Sequence, residues 1–268
     1  MSDLIKIIIL AAFQGVAEFL PISSSGHLTV IGKLLAWNPE GSMLMNVTLH
    51  AGTLLAILIY YFKDLLKLLK VETGRKIIPA IIVGSIPAAI VGFTIKGFHI
   101  DDILFGNLIV VGLGFICTGI MLLTVMRTEA GDCPLEEISF KQALLIGIAQ
   151  GIAIIPGISR SGSTISMGLK CGIKKADTAT FSFMLAIPAI GGAVLLEIIS
   201  EFHKGGVTVN SNEIFVLAVG FTVAALVGYF SLALLIKVLK RGKLTFFGWY
   251  VLSVGILTLG WKIYSIVK

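Results

Sequence analysis

Gln14 to Thr29, QGVAEFLPISSSGHLT, sets a carboxylate, an imidazole, three consecutive serines and a proline inside an apolar run. Ionisable groups are expensive in lipid, so their presence there points to function. A second stretch, Gln150 to Ile165, reads QGIAIIPGISRSGSTI. At a constant offset of 136 residues it repeats the first at Gln14/Gln150, Gly15/Gly151, Ala17/Ala153, Ile22/Ile158, Ser23/Ser159, Ser25/Ser161 and Gly26/Gly162. The copies differ where chemistry would differ: Glu18 faces Ile154, Ser24 faces Arg160 and His27 faces Ser163. One copy holds the acid and the imidazole and the other the guanidinium, so two diverged halves are expected to build one site.

A serine beside a histidine is the raw material of a hydroxyl nucleophile with its base. A carboxylate can orient the imidazole, act as base or hold a metal ion. Arg160 presents a planar fork suited to phosphate, among the hydroxyls of Ser159, Ser161, Ser163 and Thr164. A helix opening after Gly162 would add backbone amides as a further anion site. Phosphoryl transfer needs little beyond positioning and charge neutralisation. The residues taken alone leave two readings open, a phosphate-handling membrane enzyme and a transporter of an anionic solute or lipid.

These groups need helices to hold them. The chain is 56% hydrophobic and 13% charged, about half the charge of a soluble domain, and leaves no room for a sizeable soluble domain. Six apolar runs are long enough to span a bilayer, at about 45–62, 77–97, 105–126, 178–199, 213–236 and 246–266. The motif regions, about 4–36 and 141–172, each hold two short apolar runs around a Pro/Ser/Gly break. That pattern predicts a re-entrant hairpin, with Pro21 and Pro156 ending the first leg. The expected fold is an all-α integral membrane protein: six transmembrane helices plus two re-entrant helical hairpins, arranged as an inverted-topology repeat of residues 1–130 and 137–268. Three spans follow each hairpin, and an odd number inverts the second half.

The net charge of +6 reads as cytoplasmic loop charge, not as a nucleic-acid footprint, because no basic patch carries interleaved aromatics. Placing the loop with Lys63, Lys67, Lys70, Arg75 and Lys76 in the cytoplasm puts fourteen cations on that side and six on the other, and leaves the first hairpin outside. Cys117, Cys133 and Cys171 show neither zinc nor disulfide spacing. No small-residue cleavage site precedes the serine run, so the first segment is expected to stay in the mature chain. His50, at the head of an apolar run, is left between a packing role and a place on the cavity wall.

Gln14-x-x-x-Glu18 followed by PISSSGH at Pro21 to His27, with PGISRSGST at Pro156 to Thr164, resembles the two signature regions of the undecaprenyl-diphosphate phosphatase family, the bacitracin-resistance proteins. The resemblance extends over nearly the whole chain. It implies a hydrolase of the cell (inner) membrane that removes the terminal phosphate of undecaprenyl diphosphate, recycling the lipid carrier for peptidoglycan and cell-wall synthesis and conferring antibiotic resistance. It also implies a site open to the extracytoplasmic side and a divalent cation, Mg²⁺ or Ca²⁺. Carried over by position, Glu18 becomes the essential carboxylate and a metal ligand, Ser24 and His27 the nucleophile/base pair, and Arg160 the phosphate clamp. Gln14, Ser23, Ser25, Ser159, Ser161 and Thr164 become substrate-binding or supporting groups. Either Ser24 attacks with His27 as base, which is favoured, or His27 itself takes the phosphoryl group. Many members carry Glu where this chain has Gln14, which shifts the metal contact toward Glu18 and the substrate diphosphate. The partners implied are a polyprenyl diphosphate and membrane lipids, with a homo-oligomer possible. The competing function is a transporter or flippase of the same lipid phosphate.

Overall fold

The computed structural model describes residues 3–35, 43–125, 131–203, 210–242 and 244–267. Arg127, Lys204, Lys243 and Lys268, which enter the charge balance, and the repeat boundary at 130 lie outside the described residues. In chain order the α-helices are α1 (Asp3–Ala17), α2 (Ser24–Leu34), α3 (Met43–Tyr60), α4 (Phe62–Leu68), α5 (Val71–Gly97) and α6 (Asp101–Leu104). They continue as α7 (Leu108–Val125), α8 (Phe140–Ile152), α9 (Arg160–Lys170), α10 (Lys175–His203), α11 (Ser211–Lys240) and α12 (Thr245–Val267).

Among the described residues five helices are long and apolar enough to cross a membrane: α5, α7, α10, α11 and α12. The pair α3 and α4, bent by 72° at their junction, makes a sixth if counted as one span. On α5, Ile82, Ile86, Ile90 and Phe93 are exposed at helical spacing. A stripe of this kind suits acyl chains and would be costly in water.

The two motif regions form helix–break–helix units, α1/α2 and α8/α9. Their first legs stop at Ala17 and Ile152, short of Pro21 and Pro156, where the sequence pattern puts the ends. The difference has a steric cause: the residue before a proline is driven out of the helical region, and the chain tightens into turns ahead of it. Turn bonds such as Ile22 N–H to the Leu20 carbonyl at 2.7 Å and Ile158 N–H to the Ile155 carbonyl at 3.1 Å replace the helical ladder. Glu18 therefore lies in the break itself. The second legs open alike: Ser23 and Ser159 are N-caps whose hydroxyls accept from Gly26 N–H at 3.4 Å and Gly162 N–H at 3.1 Å. Because α9 begins at Arg160, the amide of Gly162 is taken by its own cap.

Small residues set the helix packing, as is usual where lipid supplies no hydrophobic drive between helices. Gly112 lies against Gly255 and Leu259, and Gly119 against Gly248 and Leu252, so α7 and α12 run antiparallel. In return Gly248 lies against Leu123 and Gly255 against Ile116. At the offset of 136 these are the same contacts with the halves exchanged. Gly84 on α5 meets Ala143 on α8, and their counterparts Gly220 on α11 and Ile7 on α1 also meet. Thus α1 packs along α11, and α8 along α5.

Candidate active site

The two breaks meet. The Ser161 hydroxyl donates to the Leu20 carbonyl at 3.3 Å, and the Pro21 ring abuts Gly162. Gly26 packs on Gly157, whose φ of +91° and closeness to the Val111 carbonyl admit only glycine. Across this junction Arg160 Nη2 donates to Glu18 Oε1 at 2.7 Å. The other carboxylate oxygen, Oε2, accepts from the Ser24 hydroxyl at 2.7 Å and from Gln14 Nε2 at 3.2 Å. Ser24 and Arg160, at equivalent positions in the two motifs, are thus joined through a single carboxylate.

Glu18 is 7% exposed and the Arg160 side chain 15%, so the pair is largely out of water. A buried ion pair is retained against a heavy desolvation cost and is sustained by its added hydrogen bonds. Arg160 Nη1, by contrast, is buried with no partner, as is Gln14 Oε1. Unpaired buried polar atoms are rare and mark a place for a ligand, ion or water. The Arg160 guanidinium also stands 5.7 Å from the centroid of the Phe183 ring, which fixes its plane.

A cavity of about 220 Å³ opens beside the pair. Ser23, Ser24, Ser25, Glu18, Ser159 and Arg160 line its polar side; Ala17, Phe105, Ala153, Ile154, Ile158, Ala189, Ile190 and Ala193 line its apolar side, and His50 is also in its wall. Gln14, His27, Ser161 and Thr164 are buried outside that lining. Thr164 donates to the Arg160 carbonyl at 2.9 Å and meets the Ser182 hydroxyl at 2.5 Å, tying α9 to α10.

His27 and Ser24 share no hydrogen bond. Its Nδ1–H donates to the Ser23 carbonyl at 2.8 Å, which leaves Nε2 to accept from the Tyr250 hydroxyl on α12 at 2.9 Å. The ring stacks on Tyr250 and stands edge-on to Phe115. Both ring nitrogens are therefore occupied, and the hydroxyl hydrogen of Ser24 goes to Glu18. Ser23 carries the cost of this packing: its φ is +71°, a strained value for a serine.

Sequence reading did not single out Thr118 or Tyr250. The Thr118 hydroxyl donates to the Gly157 carbonyl and accepts from Ser159 N–H, both at 3.0 Å, so α7 braces the second break. A signal for Tyr250 exists in hindsight: at the offset of 136 it stands where the first half has Gly114, which packs on Pro156 and Gly157. Each tail span thus reaches the opposite break, one with a phenol and one with bare backbone.

Residues 7–257 match the family described as Bacitracin resistance protein BacA. The chain is 38% identical over 250 residues to an undecaprenyl-diphosphatase of Carboxydothermus hydrogenoformans, covering 93% of this chain and 94% of the relative. It is 39% identical to one of Methanosphaera stadtmanae, covering 97% and 98%, and 40% identical to one of Rhodopirellula baltica, covering 96% and 97%.

Proposed function

The chain belongs to the bacitracin resistance protein BacA family, and on that footing we propose that it hydrolyses the terminal phosphate of undecaprenyl diphosphate, yielding undecaprenyl phosphate and inorganic phosphate. One observation carries the reading to particular atoms: Glu18 is held between the Ser24 hydroxyl and Arg160, with Arg160 Nη1 still unpaired beside a cavity. A guanidinium with a free donor engages a phosphate oxygen. A carboxylate at 2.7 Å takes the proton from the hydroxyl it faces.

Ser24 Oγ attacks the terminal phosphorus as its proton passes to Glu18. The bond from phosphorus to the bridging oxygen breaks, and the lipid monophosphate leaves with the Glu18 proton on its oxygen. Glu18, again a carboxylate, then takes a proton from the water that attacks the phosphoserine, and Ser24 Oγ recovers a proton as inorganic phosphate departs. Arg160 holds the transferred group throughout. His27, with both nitrogens occupied, positions the start of α2 through Ser23. Ser23, Ser25 and Ser159 line the polar wall; Gln14, Ser161 and Thr164 support it from behind.

The residues present fit a divalent cation in part. Among the described residues no group of three or more His, Cys, Asp or Glu side chains is placed to hold a metal. Glu18 and the unpaired Gln14 Oε1 supply hard oxygens, and the diphosphate would supply the rest. Bound there, Mg²⁺ or Ca²⁺ would neutralise diphosphate charge.

The site lies within two inverted repeats, 1–130 and 137–268, whose hairpins re-enter the membrane from opposite faces. Supporting this are the exchanged glycine contacts of the antiparallel α7 and α12 and the reciprocal docking of α1 on α11 and α8 on α5. The charge bias supports a cavity opening to the extracytoplasmic face of the cell membrane, and the apolar wall of Ile154, Ile158 and Ile190 offers the polyprenyl tail a way in. A carrier has no use for the Ser24–Glu18 contact, which disfavours the transporter. Inorganic phosphate release from undecaprenyl diphosphate by purified protein in detergent tests the reading, with Mg²⁺, Ca²⁺ or EDTA and an Arg160→Ala control. Metal-dependent release lost in the control is expected. Lipid binding without release under any condition would overturn hydrolysis in favour of transport.

A further inference from the structure

The cavity is short of positive charge. Among the described residues its polar lining holds one fixed cation, Arg160, and Glu18 already neutralises it. A diphosphate brings at least two further negative charges into a space walled largely by Ala, Ile and Phe. Ser23, Ser24, Ser25 and Ser159 offer hydroxyls; among the described residues the further lining side chain able to bear positive charge beside a phosphate is His50 on α3.

His50 is held in one orientation. Its Nδ1–H donates to the Asn46 carbonyl at 2.9 Å, one turn back on α3. Among the described residues Nε2 has no hydrogen-bond partner. The Asn46 side chain donates to Glu197 Oε1 on α10 at 3.3 Å, so the turn carrying His50 is pinned to the helix that forms the apolar wall. The imidazole lies within electrostatic reach of Glu18 on one side and Glu197 on the other, and Glu197 is within reach of Lys96 on α5. The helix packed most closely on α3, α11, meets it there with Phe221, Ala224 and Ala225, and brings no charge. Nε2, on a half-buried side chain in the wall of this cavity, is thus left to meet a ligand.

We infer that His50 is a substrate-binding residue whose Nε2 holds the terminal phosphate of the diphosphate from the α3 wall, while Arg160 holds it from α9. Nε2 accepts a P–OH proton when the imidazole is neutral and donates to a phosphate oxygen when it is charged, so either form binds. The inference rests on the phosphatase reading for the identity of the ligand, but the group recognised is a phosphate. Inorganic phosphate alone is therefore a sufficient probe.

The experiment uses the full-length protein in detergent, as wild type, His50→Ala and His50→Gln. Thermal stabilisation by inorganic phosphate is measured beside KM and kcat for undecaprenyl diphosphate. His50→Ala is expected to raise both the KM and the phosphate concentration needed for stabilisation about tenfold, the loss of one hydrogen bond to a charged group. The kcat should change by less than about threefold, since the group binds substrate and product alike. His50→Gln, which keeps a donor and an acceptor, should recover most of the loss. Unchanged KM and unchanged phosphate response in His50→Ala would overturn the inference. So would a fall in kcat alone that His50→Gln does not repair, because that marks a structural role. A wild type stabilised by phosphate through His50 but releasing none from the diphosphate would support this site and overturn the hydrolysis reading. Turnover indifferent to His50 would do the reverse.

Discussion

The two breaks start from nearly the same residues and solve the same local problem differently. Both cap their second helix with a serine three residues before a glycine, Ser23 to Gly26 and Ser159 to Gly162. In the second, the left-handed step is taken by Gly157, and Thr118 braces the turn from α7. In the first, the left-handed step falls on Ser23, and the following helix is steadied by His27 reaching Tyr250. The second is a relaxed mount for one guanidinium. The first holds backbone strain beside the carboxylate and the hydroxyl, the usual place for strain that serves a site. Of the two similar breaks, one thus holds the comfortable geometry and the other the carboxylate and the hydroxyl.

That contrast can be broken most sharply at the equivalent pair Glu18 and Ile154. Glu18→Ala should lower phosphate release by about 10³-fold, the range for a lost general base, whereas Ile154→Ala should change it only about twofold. Equal losses would mean that the halves share the chemistry. Next in size is Gly157→Ala, whose Cβ would sit 2.2 Å from the Val111 carbonyl oxygen at a φ closed to alanine. A loss of about 3 kcal/mol or more is expected, read as a lower unfolding midpoint in detergent. Ser23→Gly, the matching change in the first break, trades relief of strain against little loss of cap and should stay within about 1 kcal/mol by the same measurement. Thr118→Val leaves Ser159 N–H unpaired and should cost about 1–3 kcal/mol. Tyr250→Phe should cost about 1 kcal/mol, because the stacked ring remains and one hydrogen bond is lost. A fall in kcat far beyond that stability change would sharpen the comparison, tying His27 orientation to turnover.

The spans and the pairing of the two motifs were legible because both are written in periodic or repeated form. Apolar runs of bilayer length need no partner to be recognised, and Ser24 and Arg160 stand at matching places in two motifs that repeat at a constant offset. The helix ends were less legible, since Pro21 and Pro156 act through the residues before them and the ladder fails ahead of the ring. Most contacts between helices distant in sequence left little to read in either partner alone. Thr118 is one hydroxyl in a Gly-rich apolar helix and meets its partners 39 and 41 residues on. Ser24 and His27 stand close enough in sequence to suggest a pair, yet the tether of His27 to α12 depends on a residue 223 positions away.

The ion pair that closes the site joins residues 142 positions apart. A ribosome adding about 5–20 residues per second makes Arg160 roughly 7–30 s after Glu18. For that interval the acid sits in a newly inserted hairpin with no guanidinium to meet it, so the first half must wait protonated or in contact with water. Its seal against lipid is set by the arrival of the second half, and a nascent chain stopped before α9 would hold an open, wet hairpin in place of a finished wall.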